Sequence, residues 1–170
     1  MELAYKKYNN DNLFSNFENV EFTNLSNVQN YIPIYQKFFA LNESNYNSIN
    51  LNNKYYIRNI TSKESDNKYT GEVCDISDEI TTKQMFFKYS PLLDPTKYIT
   101  GKYDSSHSDL IKLPRFVNDE THAKLCDQNN SAYVDSFFSY LTSQLLNENE
   151  FTHGIDFYGS FLGVKHNFIY

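Results

Sequence analysis

Tryptophan is absent from this chain, and methionine, cysteine, proline and glycine are sparse: two, two, four and five among 170 residues. Each shortage excludes something. Cys74 and Cys126 stand far apart with no C-x-x-C pair, so there is no disulfide framework and two thiols in a reducing compartment are expected. Five glycines leave no G-x-G-x-x-G and no G-x-S-x-G string, so neither a backbone cradle for phosphates nor a nucleophile elbow is encoded. No run approaches the ~20 apolar residues of a membrane span, and Met1 to Lys7 hold no apolar signal core. Basic clusters are missing too: the net charge is -6, which argues against a grip on nucleic-acid phosphates. His107, His122, His153 and His166 are scattered, with no His-x-x-x-His pair and no cysteine at ligand spacing, so surface or capping roles outweigh a metal site. The Ser77-Asp78-Glu79 spot does not match a calcium loop.

What is abundant is aromatic. Fifteen Tyr and fourteen Phe lie in a chain that is 40% hydrophobic and 21% charged. Rings bury large areas each, so a modest number builds a core, and wholesale disorder is excluded. Asparagine is frequent and lysine far exceeds arginine, a bias that follows AT-rich codons and points to a low-GC genome such as that of a large DNA virus, an amoeba or an apicomplexan.

Periodicity divides the chain. Residues 1 to about 30 are polar and Asn-rich and read as a loosely ordered arm with one short element. Ile32 to Leu41, with Pro33 near its start, has the spacing of a short amphipathic helix. Lys54 to Ile60, Tyr69 to Ile76 and Lys83 to Tyr89 are β-branched and aromatic, separated by polar turns, and predict an antiparallel meander. Ser90 to Asn130, broken by Pro91, Pro95 and Pro114, reads as a connecting region. Ser131 to Leu146 predicts the main helix, capped by Asn130 or Ser131, with Val134, Phe137, Phe138, Leu141 and Leu145 on its apolar face. Ile155 to Gly163 and Val164 to Tyr170 suggest two final strands around Gly163, and the apolar end at Tyr170 reads as a cut chain.

Three strands, a long helix and two strands is the order of the small lobe of the protein kinase fold. Met85-Phe86-Phe87-Lys88 resembles the third-strand lysine motif, and His153-Gly154-Ile155-Asp156-Phe157-Tyr158-Gly159-Ser160-Phe161 resembles the stretch after the regulatory helix. Longer pieces around Phe86 to Tyr103 and Asn129 to Leu146 resemble atypical kinase-like proteins of giant DNA viruses. The resemblance implies an α+β domain over 51–170, with a five-stranded antiparallel sheet and one main helix, preceded by an extension over 1–50 with a short helix. It implies that Lys88 and Asp135 face a nucleotide, with ATP and magnesium serving the full-length protein and no tight binding by this chain alone. The missing partner would be a C-terminal catalytic lobe or another protein, with no nucleic acid and no membrane. The setting would be host cytoplasm, a viral factory or the virion.

The residues also carry plainer readings. Lys88 can be a strand-end lysine with its ammonium in water. Asp135 replaces the helix glutamate of kinases with a shorter side chain, about 100° from the apolar stripe, and can simply favour the helix macrodipole. Ser160 beside Gly159 is a packing serine far more often than a nucleophile. Thr61 to Lys68 holds no glycine, and no His-Arg-Asp, catalytic Asn or Asp-Phe-Gly string follows, so the base and metal ligands of phosphoryl transfer are absent. The alternative is a non-enzymatic, interaction or virion-associated protein, since plentiful Tyr and Phe suit interfaces. An apolar patch exposed on the helix is its expected mark.

Overall fold

A computed structural model describes residues 2–117 and 120–167. Its centre is the meander β4 (Tyr55–Lys63), β5 (Lys68–Asp75) and β6 (Ile80–Phe86), antiparallel in that order. Alternation places Ile57, Ile60, Tyr69, Val73 and Met85 on one buried face. The β4–β5 register slips between Ile57 and Asn59 and between Ile60 and Ser62, bulges that twist the hairpin.

Before the meander come β1 (Tyr5–Lys7), α1 (Asp11–Glu18), β2 (Leu25–Gln29) and β3 (Ile49–Leu51). Where a loose arm with one short element was expected over 1–30, the segment carries two strands and a helix. Leu13 and Phe17, four residues apart on α1, share the meander's core, and β1 pairs with β3. Ile32 to Leu41 forms only a 3-10 turn at Pro33–Lys37 rather than an amphipathic helix. Its Ile34, Tyr35 and Phe39 are buried all the same.

After the meander, α2 (Pro95–Ile99) starts with Asp94 accepting from the Thr96 and Lys97 amides, and α3 (Ala123–Cys126) follows. The main helix α4 spans Ser131–Asn149, with the Asn130 side chain accepting from the Ala132 amide as expected. It stops at Glu150, in the left-handed region at φ 56°. Neither Cys74 nor Cys126 is in a disulfide. Among the described residues no helix is long and apolar enough to cross a membrane.

Two sequence-based expectations fail here. Among the described residues there is no five-stranded sheet: the strands form one sheet of three and two of two. Residues 155–161 run without strand pairing apart from one bond, Ile57 N–H to Tyr158 O at 2.9 Å. The last strand, β7 (Leu162–Lys165), passes straight through the expected turn at Gly163 and pairs with β2. The end of the second predicted strand, 168–170, lies outside the described residues.

The second failure is the rotation of α4. Its buried face is Tyr133, Phe137, Tyr140, Ser143 and Gln144, while Val134 and Phe138 are 45% and 63% exposed. The polar tips explain the difference. Tyr133 donates to Leu125 O at 2.7 Å, Tyr140 to Asn52 Oδ1, and Gln144 to Asn52 O at 3.0 Å. Their rings pack with Ile32, Tyr35, Phe39, Ile49 and Leu162 in a second core that joins both ends of the chain. A tyrosine whose hydroxyl has a partner buries as well as a phenylalanine.

Burial pushes the hydroxyls of Tyr31 and Tyr140 up to about 12 from an ordinary 10.0, and raises those of Tyr35 and Tyr133 as well. Folded, these groups keep their protons above the pH at which the unfolded chain loses them. Stability is thus full below pH 10 and falls as pH rises from there toward 12, by about 1.4 kcal/mol per pH unit for each tyrosine. Urea unfolding followed between pH 8 and 12 should show this decline, and the 295 nm absorbance of the buried tyrosines should rise only with unfolding.

Candidate functional site

The sequence pointed to Lys88 and Asp135, and the fold brings them together. The Lys88 Nζ lies 2.6 Å from Asp135 Oδ2. Strand alternation continues past β6: the Phe87 ring meets Tyr69 at 4.5 Å between centroids, and the Tyr89 hydroxyl lies 3.1 Å from that of Tyr69. With 87 and 89 turned inward, Lys88 must point outward. On α4, Tyr133 and Phe137 fill the core, which turns Asp135 away from it.

The setting differs from the one expected. Among the described residues no five-stranded sheet stands behind the pair, and the two side chains are 64% and 47% exposed. A cleft of about 460 Å³ opens between β2 and the 108–121 loop, lined among others by Gln29, Lys112, Arg115 and Thr121, and neither Lys88 nor Asp135 borders it. The β4–β5 hairpin is closed by the Glu64 amide on Lys68 O at 2.9 Å, with no glycine in the turn. Gly71, the nearest glycine, serves packing instead: a Cβ there would sit 2.2 Å from Asn59 O and 2.7 Å from Met85 Cε. These residues do not fit a nucleotide phosphate with its metal. The pair is exposed, it does not border the described cleft, and the hairpin turn holds no glycine to bring backbone close to an anion.

The remaining candidates have structural partners. Ser160 Oγ lies 2.6 Å from Ser136 Oγ, tying the 155–161 segment to α4. His122 caps α3, its Nδ1 accepting from the Lys124 amide at 3.1 Å. His107 lies 3.4 Å from Asp104, and His166 Nε2 lies 2.9 Å from Ser26 Oγ. Among the described residues, no three His, Cys, Asp or Glu side chains gather to hold a metal.

One cluster escaped the sequence reading. Lys165 donates to Thr23 O and sits 5.3 Å from the centre of the Tyr89 ring. Desolvation lowers its pKa, and nearby Lys63 adds to the effect. Burial likewise raises the Tyr89 hydroxyl. The lysine comes from the last described strand and its partners from three other places, so no local spacing announces it.

Compared with protein-family models, with curated proteins and with solved structures, the chain matches none.

Two measurements follow. An exposed pair contributes about 1 kcal/mol at most. A double-mutant cycle of Lys88→Ala and Asp135→Ala, read by urea unfolding, should therefore give a coupling no larger than that, shrinking further in high salt. By contrast Gly71→Ala must displace backbone and should cost about 3 kcal/mol in the same assay.

Proposed function

We propose that this chain is a non-enzymatic protein-interaction module that presents the outer face of α4 to another polypeptide. The observation that carries this reading is the rotation of the helix. Val134 and Phe138, one turn apart, stand in solvent, and Leu145 follows at helical spacing, partly covered, while Leu141 packs against the core. A helix that fills its inner face with hydrogen-bonded tyrosines, and keeps phenylalanine and valine outside, carries apolar surface that folding does not use. Aromatic residues on such a face suit the buried centre of an interface. The setting proposed for it is a large DNA virus, in the cytoplasm of the host or in the virion, as the composition suggests.

A second reading, an incomplete kinase-like small lobe without activity of its own, is favoured by one observation: Lys88 and Asp135 meet at 2.6 Å. Its partner would be a catalytic lobe beyond Tyr170. The exposure of the pair and the glycine-free hairpin weigh against a nucleotide site within this chain.

Both readings are open to test with purified protein. In cells that express its gene, the tagged wild-type chain should capture a polypeptide partner that Val134→Asp with Phe138→Asp loses by at least tenfold, with circular dichroism and melting unchanged. Equal capture by the two, or none by the wild type above a tag control, removes the interaction reading. Titration with ATP and magnesium should give no saturable signal; saturable binding that Lys88→Ala abolishes would restore the kinase-like one.

A further inference from the structure

The two edges of the meander are treated differently. Along β4 the Ile57 amide is taken by Tyr158 O at 2.9 Å and the Ile60 amide by Asn16 Oδ1 at 3.2 Å. Along the outer side of β6, no strand pairs among the described residues. The phase of the β5–β6 ladder tells which groups are left over. Phe87 N–H donates to Asn67 O at 2.8 Å and Asp75 N–H to Glu79 O at 3.1 Å, both in the register that pairs Tyr69 with Met85. Hydrogen-bonded positions alternate in an antiparallel pair, so odd-numbered residues of β6 bond to β5. The N–H and C=O groups of Ile80, Thr82, Gln84 and Phe86 point outward. Such an edge is a template for another strand.

The side chains of those same residues say which strand. Ile80 is 47% exposed and Phe86 67%. An antiparallel copy of β6 centred on Lys83 places Ile80 opposite Phe86 of the other copy, Thr82 opposite Gln84, and the reverse at the other end. Apolar meets apolar and polar meets polar at every outward position. The one like-charge meeting, Lys83 with itself at the axis, is relieved. Each Lys83 ammonium leans back over the sheet, 4.1 Å from the centre of the Tyr55 ring on β4 and 5.8 Å from that of Tyr158. The lysine that commonly guards an edge strand is turned away from it.

We propose that β6 pairs with β6 of a second copy of this chain, joining two meanders into a continuous six-stranded sheet across a two-fold axis. The contact is isologous, so it closes at two copies and does not propagate. A seven-residue junction falls short of the ~1,200 Å² of a stable specific interface, so the dimer is weak and forms with concentration. This surface is separate from the α4 ridge, and the two proposals stand or fall independently.

Sedimentation equilibrium over roughly a hundredfold range reaching about 1 mM tests it, since a small interface needs that range to populate. The mass of the wild type should rise from 20.0 kDa toward twice that value. Ile80→Lys with Phe86→Lys should stay monomeric, and so should Gln84→Pro, which removes one outward donor and none bonded to β5. Val134→Asp with Phe138→Asp should dimerise like the wild type. Amide exchange supplies the readout a mere loss of folding would not give. At high concentration the Thr82 and Gln84 amides should slow at least tenfold in the wild type, while the Lys83 amide, already bonded, should not change. A monomer at the highest concentration, or a dimer in which the Thr82 and Gln84 amides exchange as in the monomer, overturns the proposal.

Discussion

The rotation of α4 about its own axis decides more of this molecule than any other single choice. Three hydrogen bonds from its inner face hold it: Tyr133 to Leu125 O, and Tyr140 and Gln144 to the two oxygens of Asn52. A fourth comes the other way, from the Phe157 amide to Ser143 Oγ at 3.1 Å. Turning the helix by one residue, about 100°, would bury the more apolar stripe of Val134, Phe138 and Leu145. It would also take the donors away from Leu125 O and the two Asn52 oxygens, each costing on the order of 1–3 kcal/mol where it stays buried and unpartnered. The observed rotation places Phe138 in water and Asp135 in reach of Lys88 together. The exposed ridge and the ion pair are two consequences of one set of polar anchors.

That is also where reading the sequence succeeded and where it stopped. The three meander strands, the limits of α4 near its start and the Asn130 cap are local: period two, period 3.6 and a side chain beside its own helix end. The helix face is not local. It depends on Asn52 and Leu125, far away in sequence, and a hydropathy stripe ranks Phe138 above Tyr140 because it cannot see a partnered hydroxyl. The arm over 1–30 was misread for the same reason. Leu13, Phe14 and Phe17 of α1 are enough, since the meander supplies the other side of the contact. Likewise 155–170 read as the fourth and fifth strands of one sheet, but the strand found there, β7, pairs with β2 of the N-terminal segment.

Lys88 and Asp135 meet as an exposed ion pair. The motif comparison placed a lysine at a strand end and an acid on the following helix, and proximity followed. What gives a lysine a catalytic role is the wall behind it: desolvation, a concave sheet face and amides aimed at phosphate. Here the parity that sends Phe87 and Tyr89 inward sends Lys88 out. Burial of two aromatic neighbours, rather than a ligand, accounts for its direction.

Asparagine supplies the last piece of the logic. Read as composition, its abundance spoke of codons and turns. In the fold Asn30, Asn45, Asn53 and Asn130 are buried, and each is bonded to the backbone of another segment or to another side chain. Asn130 alone donates to Leu92 O and Lys124 O and accepts from the Ala132 amide, so it is a helix cap and a clamp between loops at once. A chain with three small sheets instead of one large sheet has many strand ends whose backbone groups must find partners. A short amide with two donors and an acceptor meets that need where no neighbouring strand does. The bias that looked like a trace of the genome is therefore the means by which short strands and irregular connections are closed. Among the described residues no such amide meets the outer side of β6, where no strand pairs either.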